Sequence, residues 1–197
     1  MDASADISDI LIGLRSGLIL ALKLTYTQNL VTNIEQCELG FHQNSVLQVK
    51  ISGDGSHAVS GGLDDYVALF SVKERLLLQK IAVPEYQITQ SLAINLTGEI
   101  FLFATNYDPN IQVYCNDMAA KQVNHLGLLK AHNAQVTSLS VTYDGLVGVS
   151  GSLDTTIAIW NIMELKLIRQ IDLLSPLKTV KITPMGKFIA CNTCNSH

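Results

Sequence analysis

The stretch AHNAQVTSLSVTYDGLVGVSGSLDTTIAIWN, Ala131 to Asn161, decides the fold. It holds His132 near its start, Ser150 and Asp154 in its middle, and Trp160, the chain's one tryptophan, near its end. Ser, His and Asp are the residue types of a nucleophilic triad. They are also residue types that can fasten buried loops by hydrogen bonds. The spacings, compared along the chain, separate the two readings.

The stretch from Phe41 to Val72, FHQNSVLQVKISGDGSHAVSGGLDDYVALFSV, repeats the same order. His42 precedes Val46 as His132 precedes Val136, and Asp54-Gly55 matches Asp144-Gly145. Ser60, Asp64 and Phe70 match Ser150, Asp154 and Trp160 at the same spacings of four and six. A degenerate third copy lies between them, from Gln87 to Tyr114. Thr97-Gly98 forms its first turn, Asp108 its second, and Tyr114 stands six residues further on. Ala104 takes the serine position there, and Pro84 stands where the histidine should be.

Two partial copies flank these three. ILIGLRSGLILALKL reads as a back half, with Ser16 at the aspartate position and Leu22 at the aromatic one. PLKTVKITPMGKFIACNTCN reads as a front half, with Cys191 at the serine position and Asn195 at the aspartate position. The ladder Ser16, Asp64, Asp108, Asp154, Asn195 has steps of 48, 44, 46 and 41. A fixed period of this size marks a repeat architecture.

Within a unit the runs are short and strand-like. VTSLSVT alternates, GLVGVSGS is small and apolar, TIAIWNI is β-branched and aromatic, and LKLIRQIDL closes the unit. Asp-Gly and Leu-Asp-Thr turns separate them. Four antiparallel strands in a repeat of this length make a propeller blade. The expected fold is all-β, a partial β-propeller of four-stranded antiparallel blades with three complete units and two partial ones. The expected boundaries are a partial blade at 1–38, blades at 39–84, 85–130 (degenerate) and 131–173, and a partial blade at 174–197.

These units resemble WD repeats, the β-propeller family of transducin-β-like proteins. The 131–171 unit ends in Trp-Asn where the family has Trp-Asp, and the 41–82 unit has Phe for Trp. GLRSGLI followed by SGDGSHAVSGGLDD also resembles the large NACHT-and-WD-repeat proteins, in which propellers follow a nucleotide-binding module. No part of that module is present, and a nucleolar or ribosome-assembly WD protein is a further option. A propeller closes as a ring, so the chain is expected to be a fragment or truncated product of a longer protein, or to close as a dimer through its open blade edges.

The resemblance implies that His132, Ser150, Asp154 and Trp160 form one hydrogen-bonded structural network, as do His42, Ser60 and Asp64 in their own unit. Chained as Trp N–H to Ser to His to Asp, each buried polar group has a partner. Phe70 donates nothing, so Ser60 needs another partner or water. A Ser-His-Asp hydrolase would need an exposed serine beside an oxyanion hole. Here the serines sit in small apolar strands and the set occurs twice in register, so the fastening reading is preferred and no catalytic residue is expected.

Other constellations are weaker. Cys191, Cys194 and His197 have the form of half a zinc site, but a second ligand pair is missing, so strand residues are expected and no metal. SGDGS and SGGLDD lack the Lys-Ser/Thr of a P-loop and read as hairpin chemistry, and no cofactor is implied. Scattered cysteines (Cys37, Cys115, Cys191, Cys194) fit free thiols in a reducing compartment. The apolar run Ile10–Leu22 is 13 residues long and carries Arg15, too short for a spanning helix, and reads as two strands joined by Arg-Ser-Gly. The net charge of −4 argues against a nucleic-acid face, and no polybasic run suggests a membrane.

Function is therefore expected on surfaces. The chain reads as a non-catalytic scaffold, cytoplasmic with a nuclear location also compatible, that binds peptide or protein partners. The candidate contacts on the inter-blade and b–c loops are Gln43, Asn44, Leu63, Tyr107, Asn133 and Leu153. Two alternatives stay open: the regulatory propeller of a NACHT-type protein, or a propeller enzyme whose catalytic residues lie outside this chain.

Overall fold

The computed structural model describes residues 1–28, 30–84 and 89–194. Asn195, proposed for the aspartate ladder, His197, proposed for the zinc half-site, and Gln87, at the start of the third copy, lie outside the described residues. Among the described residues there are eighteen strands and no helix.

Each run of β-branched and aromatic residues between turn signals becomes a strand. The first sheet holds β1 (Asp2–Ala3), β2 (Asp9–Gly13), β3 (Leu18–Thr27) and β4 (Leu30–Phe41), in that order. The second holds β5 (Val46–Ile51), β6 (His57–Gly62), β7 (Tyr66–Ser71) and β8 (Leu76–Ala82). The third holds β9 (Thr89–Ile94), β10 (Ile100–Thr105), β11 (Ile111–Asp117) and β12 (Gln122–Leu129). The fourth holds β13 (Val136–Val141), β14 (Val147–Ser152), β15 (Thr156–Asn161) and β16 (Lys166–Asp172). A fifth, two-stranded sheet pairs β17 (Leu177–Ile182) with β18 (Ile189–Thr193). All pairings are antiparallel and follow chain order, so the fold class is the expected one: all-β sheets of the propeller-blade type.

The opening stretch, expected to hold half a unit, forms four strands, the first only two residues long, and its sheet ends at Phe41. Its first turn explains why. Ser4 Oγ accepts the Asp9 N–H at 3.0 Å, and Asp6 Oδ1 accepts the Ser8 N–H at 3.0 Å. The second sheet repeats this with Ser52 and Asp54, where His57 N–H to Ser52 Oγ is 2.9 Å. The fourth repeats it with Thr142 and Asp144, where Val147 N–H to Thr142 Oγ1 is 3.2 Å. Gly55 and Gly145 take the left-handed position of these turns, at φ 69° and 75°. In the first sheet Ile7 takes it, at φ 59°. A β-branched residue is rarely found there, which hid the turn from the Asp-Gly pattern.

The chain divides into two units, Met1–Ile88 and Thr89–His197. The core of the first joins Leu11, Ile19 and Ala21 to Val46, Val49, Ala58 and Phe70, side chains of two facing sheets. In the second, Leu102, Ile111 and Val113 pack with Val136, Leu139 and Trp160, and Val149 and Ile157 pack with Leu177 and Val180. Small residues in the second strand of a blade let neighbours approach closely. A side chain at Gly62 would put its Cβ 2.5 Å from the Ser45 carbonyl oxygen.

Candidate functional site: two fastened loops and an exposed loop face

His42 stands in the loop between the first and second sheets, its N–H donated to the Gly17 carbonyl at 2.8 Å. Its ring is wholly buried. Nδ1 lies 2.8 Å from both carboxylate oxygens of Asp64, and Nε2 lies 2.7 Å from Ser60 Oγ. The Gln43 N–H adds a 2.9 Å bond to Asp64 Oδ2. Asp64, in the β6–β7 turn, thus ties down the loop through one side chain and one backbone amide. Tyr66 lies flat against the His42 ring, with centroids 4.6 Å apart, and Lys80 Nζ sits 4.1 Å over the Tyr66 ring. The Tyr66 hydroxyl donates to the Phe41 carbonyl at 2.8 Å.

His132 occupies the corresponding loop before β13. Nε2 is 2.7 Å from Ser150 Oγ, and Nδ1 is 3.0 Å from Asp154 Oδ2. The indole N–H of Trp160 donates to Ser150 Oγ at 2.8 Å. The direction of the chain follows from its two ends and the charge of the ring. The Asp154 carboxylate only accepts, so Nδ1 carries the proton, and the Trp160 indole only donates. Burial favours the neutral imidazole, in which Nε2 is the acceptor and takes the Ser150 proton. Asp154 also accepts the Asn133 N–H at 2.9 Å and, on its other oxygen, the Thr156 hydroxyl at 2.7 Å. Gln170 Nε2 donates to the Thr156 hydroxyl at 3.0 Å and closes the set.

Electrostatics agree with this direction. Burial, the largest influence, holds the His132 imidazole below its ordinary value near 6.5, against the upward pull of Asp154. Burial also pushes the Asp154 carboxyl up, but hydrogen bonds from Thr156 and Asn133 and the nearby His132 outweigh it, and the net shift is downward. Ser60 and Ser150 have no exposed surface, so neither hydroxyl meets an acyl substrate in this structure.

The third sheet lacks the set, and its register corrects one residue assignment. The turn bond Asn95 N–H to Ile100 C=O corresponds to Thr142 N–H to Val147 C=O, each 2.9 Å. Counting from it, Phe103, not Ala104, stands where Ser150 stands. The bulge between Ala104 and Thr105 agrees, because Thr105 aligns with Ser152. The following turn is one residue longer, which had brought Ala104 into the serine spacing. Tyr114, at the aromatic position, stacks on Phe101 and Phe103 at 5.5 and 5.7 Å and meets His125 at 4.8 Å. Two phenylalanines thus stand against the aromatic of the third strand in this sheet, one of them, Phe103, at the serine position.

Of the candidate contact residues, Gln43, Asn44 and Leu63 are exposed on loops of the first unit. Tyr107, Asn133 and Leu153 are exposed on loops of the second, with Tyr107 at 74%. Sequence reasoning missed Leu174, which is 86% exposed and left-handed at φ 60°. It is built in. Asp172 Oδ1 accepts the Leu174 N–H at 2.8 Å and the Thr155 hydroxyl at 2.9 Å, and the Leu173 N–H bonds the Thr155 carbonyl at 3.0 Å. These bonds join the Leu153–Thr155 turn to the Leu174 loop. Cys191 lies on β18 and Cys194 just beyond it, both exposed.

Two stretches, residues 35–71 and 123–161, match the family model described as WD40: WD domain, G-beta repeat. They include both histidine sets, His42 to Phe70 and His132 to Trp160, and end before β8 and β16. A WD repeat domain-containing protein 83 homolog of Dictyostelium discoideum is 28% identical over 71% of this chain and 41% of its own length. Guanine nucleotide-binding protein subunit beta-1 of Nicotiana tabacum is 26% identical over 60% of this chain and 32% of its own. Eukaryotic translation initiation factor 3 subunit I of Candida glabrata is 29% identical over 53% of this chain and 28% of its own. The chain thus spans less than half the length of each of these relatives. Blade topology, the two histidine sets and the matched stretches together support a WD-repeat family for this chain.

Proposed function

We propose that the chain is a non-catalytic interaction scaffold of the WD-repeat kind, which captures protein or peptide partners on its loop face. The observation that carries this reading is the exposed apolar set Tyr107, Leu153 and Leu174 on the loops of the second unit. An exposed leucine in a left-handed conformation costs free energy that the fold does not recover by packing it. Its backbone is nonetheless held by Asp172. Apolar anchors on a rigid rim are the usual carriers of binding energy at protein interfaces. The acidic balance favours a protein over a nucleic acid. Four free cysteines favour a reducing compartment, cytoplasmic or nuclear.

The test is affinity capture with the intact chain and with a Tyr107→Ala/Leu153→Ala/Leu174→Ala variant of unchanged melting temperature. The reading expects a defined set of proteins retained by the first and lost from the second. The same set on both would refute the loop-face assignment. Turnover of a substrate by the purified chain would refute the non-catalytic one.

A further inference from the structure

Two of the chain's four prolines follow a hydroxyl residue, in Ser175-Pro176-Leu177-Lys178 and in Thr183-Pro184-Met185-Gly186-Lys187. Proline has no amide proton. A cleft that offers the residue after the hydroxyl an apolar pocket and no acceptor admits proline. It penalises any other residue for an unpaired N–H. Both stretches therefore carry the mark read by a kinase that requires proline next to the hydroxyl it modifies, and the sequence does not separate them.

The fold does. Thr183 opens the β17–β18 turn. Its N–H donates to the Phe188 carbonyl at 2.9 Å, its carbonyl accepts the Gly186 N–H at 2.8 Å, and its hydroxyl accepts the Phe188 N–H at 3.1 Å. A phosphoryl group reaches this hydroxyl only if the turn opens. Ser175 lies in the loop between β16 and β17 and is half-buried. Its N–H, carbonyl and hydroxyl enter no hydrogen bond among the described residues. A residue before proline favours an extended backbone, the form in which a peptide lies along an enzyme cleft. Its neighbour Leu174 is 86% exposed, so solvent reaches the loop.

We propose that Ser175 is a phosphorylation site for a proline-directed serine kinase, and that its phosphate releases the Leu174 loop from the Thr155 turn. The γ-phosphoryl group of a nucleoside triphosphate passes to Ser175 Oγ. The new P–O bond forms as the bond to the β-phosphate oxygen breaks, the nucleoside diphosphate leaves, and the hydroxyl proton passes to a base of the kinase. The product carries about two negative charges at neutral pH. It is attached one residue from the Leu174 N–H, which Asp172 Oδ1 holds at 2.8 Å together with the Thr155 hydroxyl at 2.9 Å. Repulsion between phosphate and carboxylate weakens both bonds. Loss of the Leu174 anchor then switches off partner capture. That consequence rests on the loop-face reading, whereas the site itself does not.

The test treats the folded chain with ATP and a purified proline-directed kinase and locates the phosphate by mass spectrometry. Phosphate is expected on Ser175 and not on Thr183, a comparison made within the unaltered protein, and Pro176→Ala should abolish it. Hydrogen exchange at the Leu174 amide should be roughly tenfold faster or more in the phosphorylated chain. The phosphorylated chain should lose the proteins that the unmodified chain retains, and Ser175→Ala should keep them after the same treatment. No phosphate at Ser175, equal phosphate at Thr183, or phosphate at Ser175 only after denaturation overturns the site. Unchanged exchange at Leu174, or full retention of partners by the phosphorylated chain, overturns the release. If the unmodified chain retains nothing, the loop-face reading fails, while phosphate at Ser175 and faster exchange at Leu174 still uphold the site.

Discussion

The second and fourth sheets carry the same three side chains at nearly the same distances, yet they surround the histidine differently. Nε2 to serine is 2.7 Å in both, and Nδ1 to aspartate is 2.8 Å in one and 3.0 Å in the other. Trp160 donates to Ser150, whereas Phe70 donates nothing to Ser60. Thr156, two residues past its aspartate, gives a hydroxyl to the set. Tyr66, at the same position, gives a ring face. Gln170 caps the threonine, and Lys80 caps the tyrosine. The aspartate-to-loop tie is common to both. The indole donor to the serine is present in one only.

The largest expected effect tests the common part. Asp154→Ala leaves the Asn133 amide without its acceptor and His132 Nδ1 with only the Thr156 hydroxyl, at 3.1 Å, and should destabilise the chain by about 3 kcal/mol. Asp64→Ala should do the same in its own sheet. Denaturant unfolding of both variants checks this, and a loss confined to one would break the comparison. The next effect tests the difference. A double-mutant cycle on Trp160→Phe and Ser150→Ala should give a coupling of about 1 kcal/mol, and a cycle on Phe70→Leu and Ser60→Ala close to none.

Acid should weaken the fourth sheet's set. His132 is held below 6.5 in the folded chain, so the unfolded chain takes up the proton first as pH falls. Its contribution is fully present above about 6.5 and is lost as pH drops towards its folded value. The lowered Asp154 contributes above its ordinary value of 3.8, and that part is lost as pH falls through its folded value. Melting temperatures between pH 7.5 and 5 should therefore fall with acid, and His132→Asn should flatten the slope. The smallest effect concerns the lid. Tyr66→Thr exchanges the ring face for a hydroxyl and removes the Lys80 contact. A loss of roughly 1 kcal/mol is expected, read by the same unfolding experiment.

The blades were legible because the aspartate and aromatic spacings recur wherever a turn and a third strand recur. The same logic failed where one residue broke the pattern. Ile7 in a glycine's conformation concealed the first turn of the first sheet, although Ser4 and Asp6 marked it. One extra residue after Thr105 shifted the apparent serine position from Phe103 to Ala104. The acceptors Ser60, Asp64, Ser150 and Asp154 could be read from spacing, but the stacking of Tyr66 on His42 depends on which face the first residue of β7 presents. Leu174 had no pattern to announce it, since its exposure follows from a bond to Asp172.

The tie between aspartate and loop is tested most directly by hydrogen exchange at the backbone amides of Gln43 and Asn133, both on exposed loop residues and both donating to a carboxylate at 2.9 Å. These amides should exchange as slowly as neighbouring strand amides, with Asp64→Ala releasing only Gln43 and Asp154→Ala releasing only Asn133. Exchange at open-loop rates in the unaltered chain would contradict the fastening.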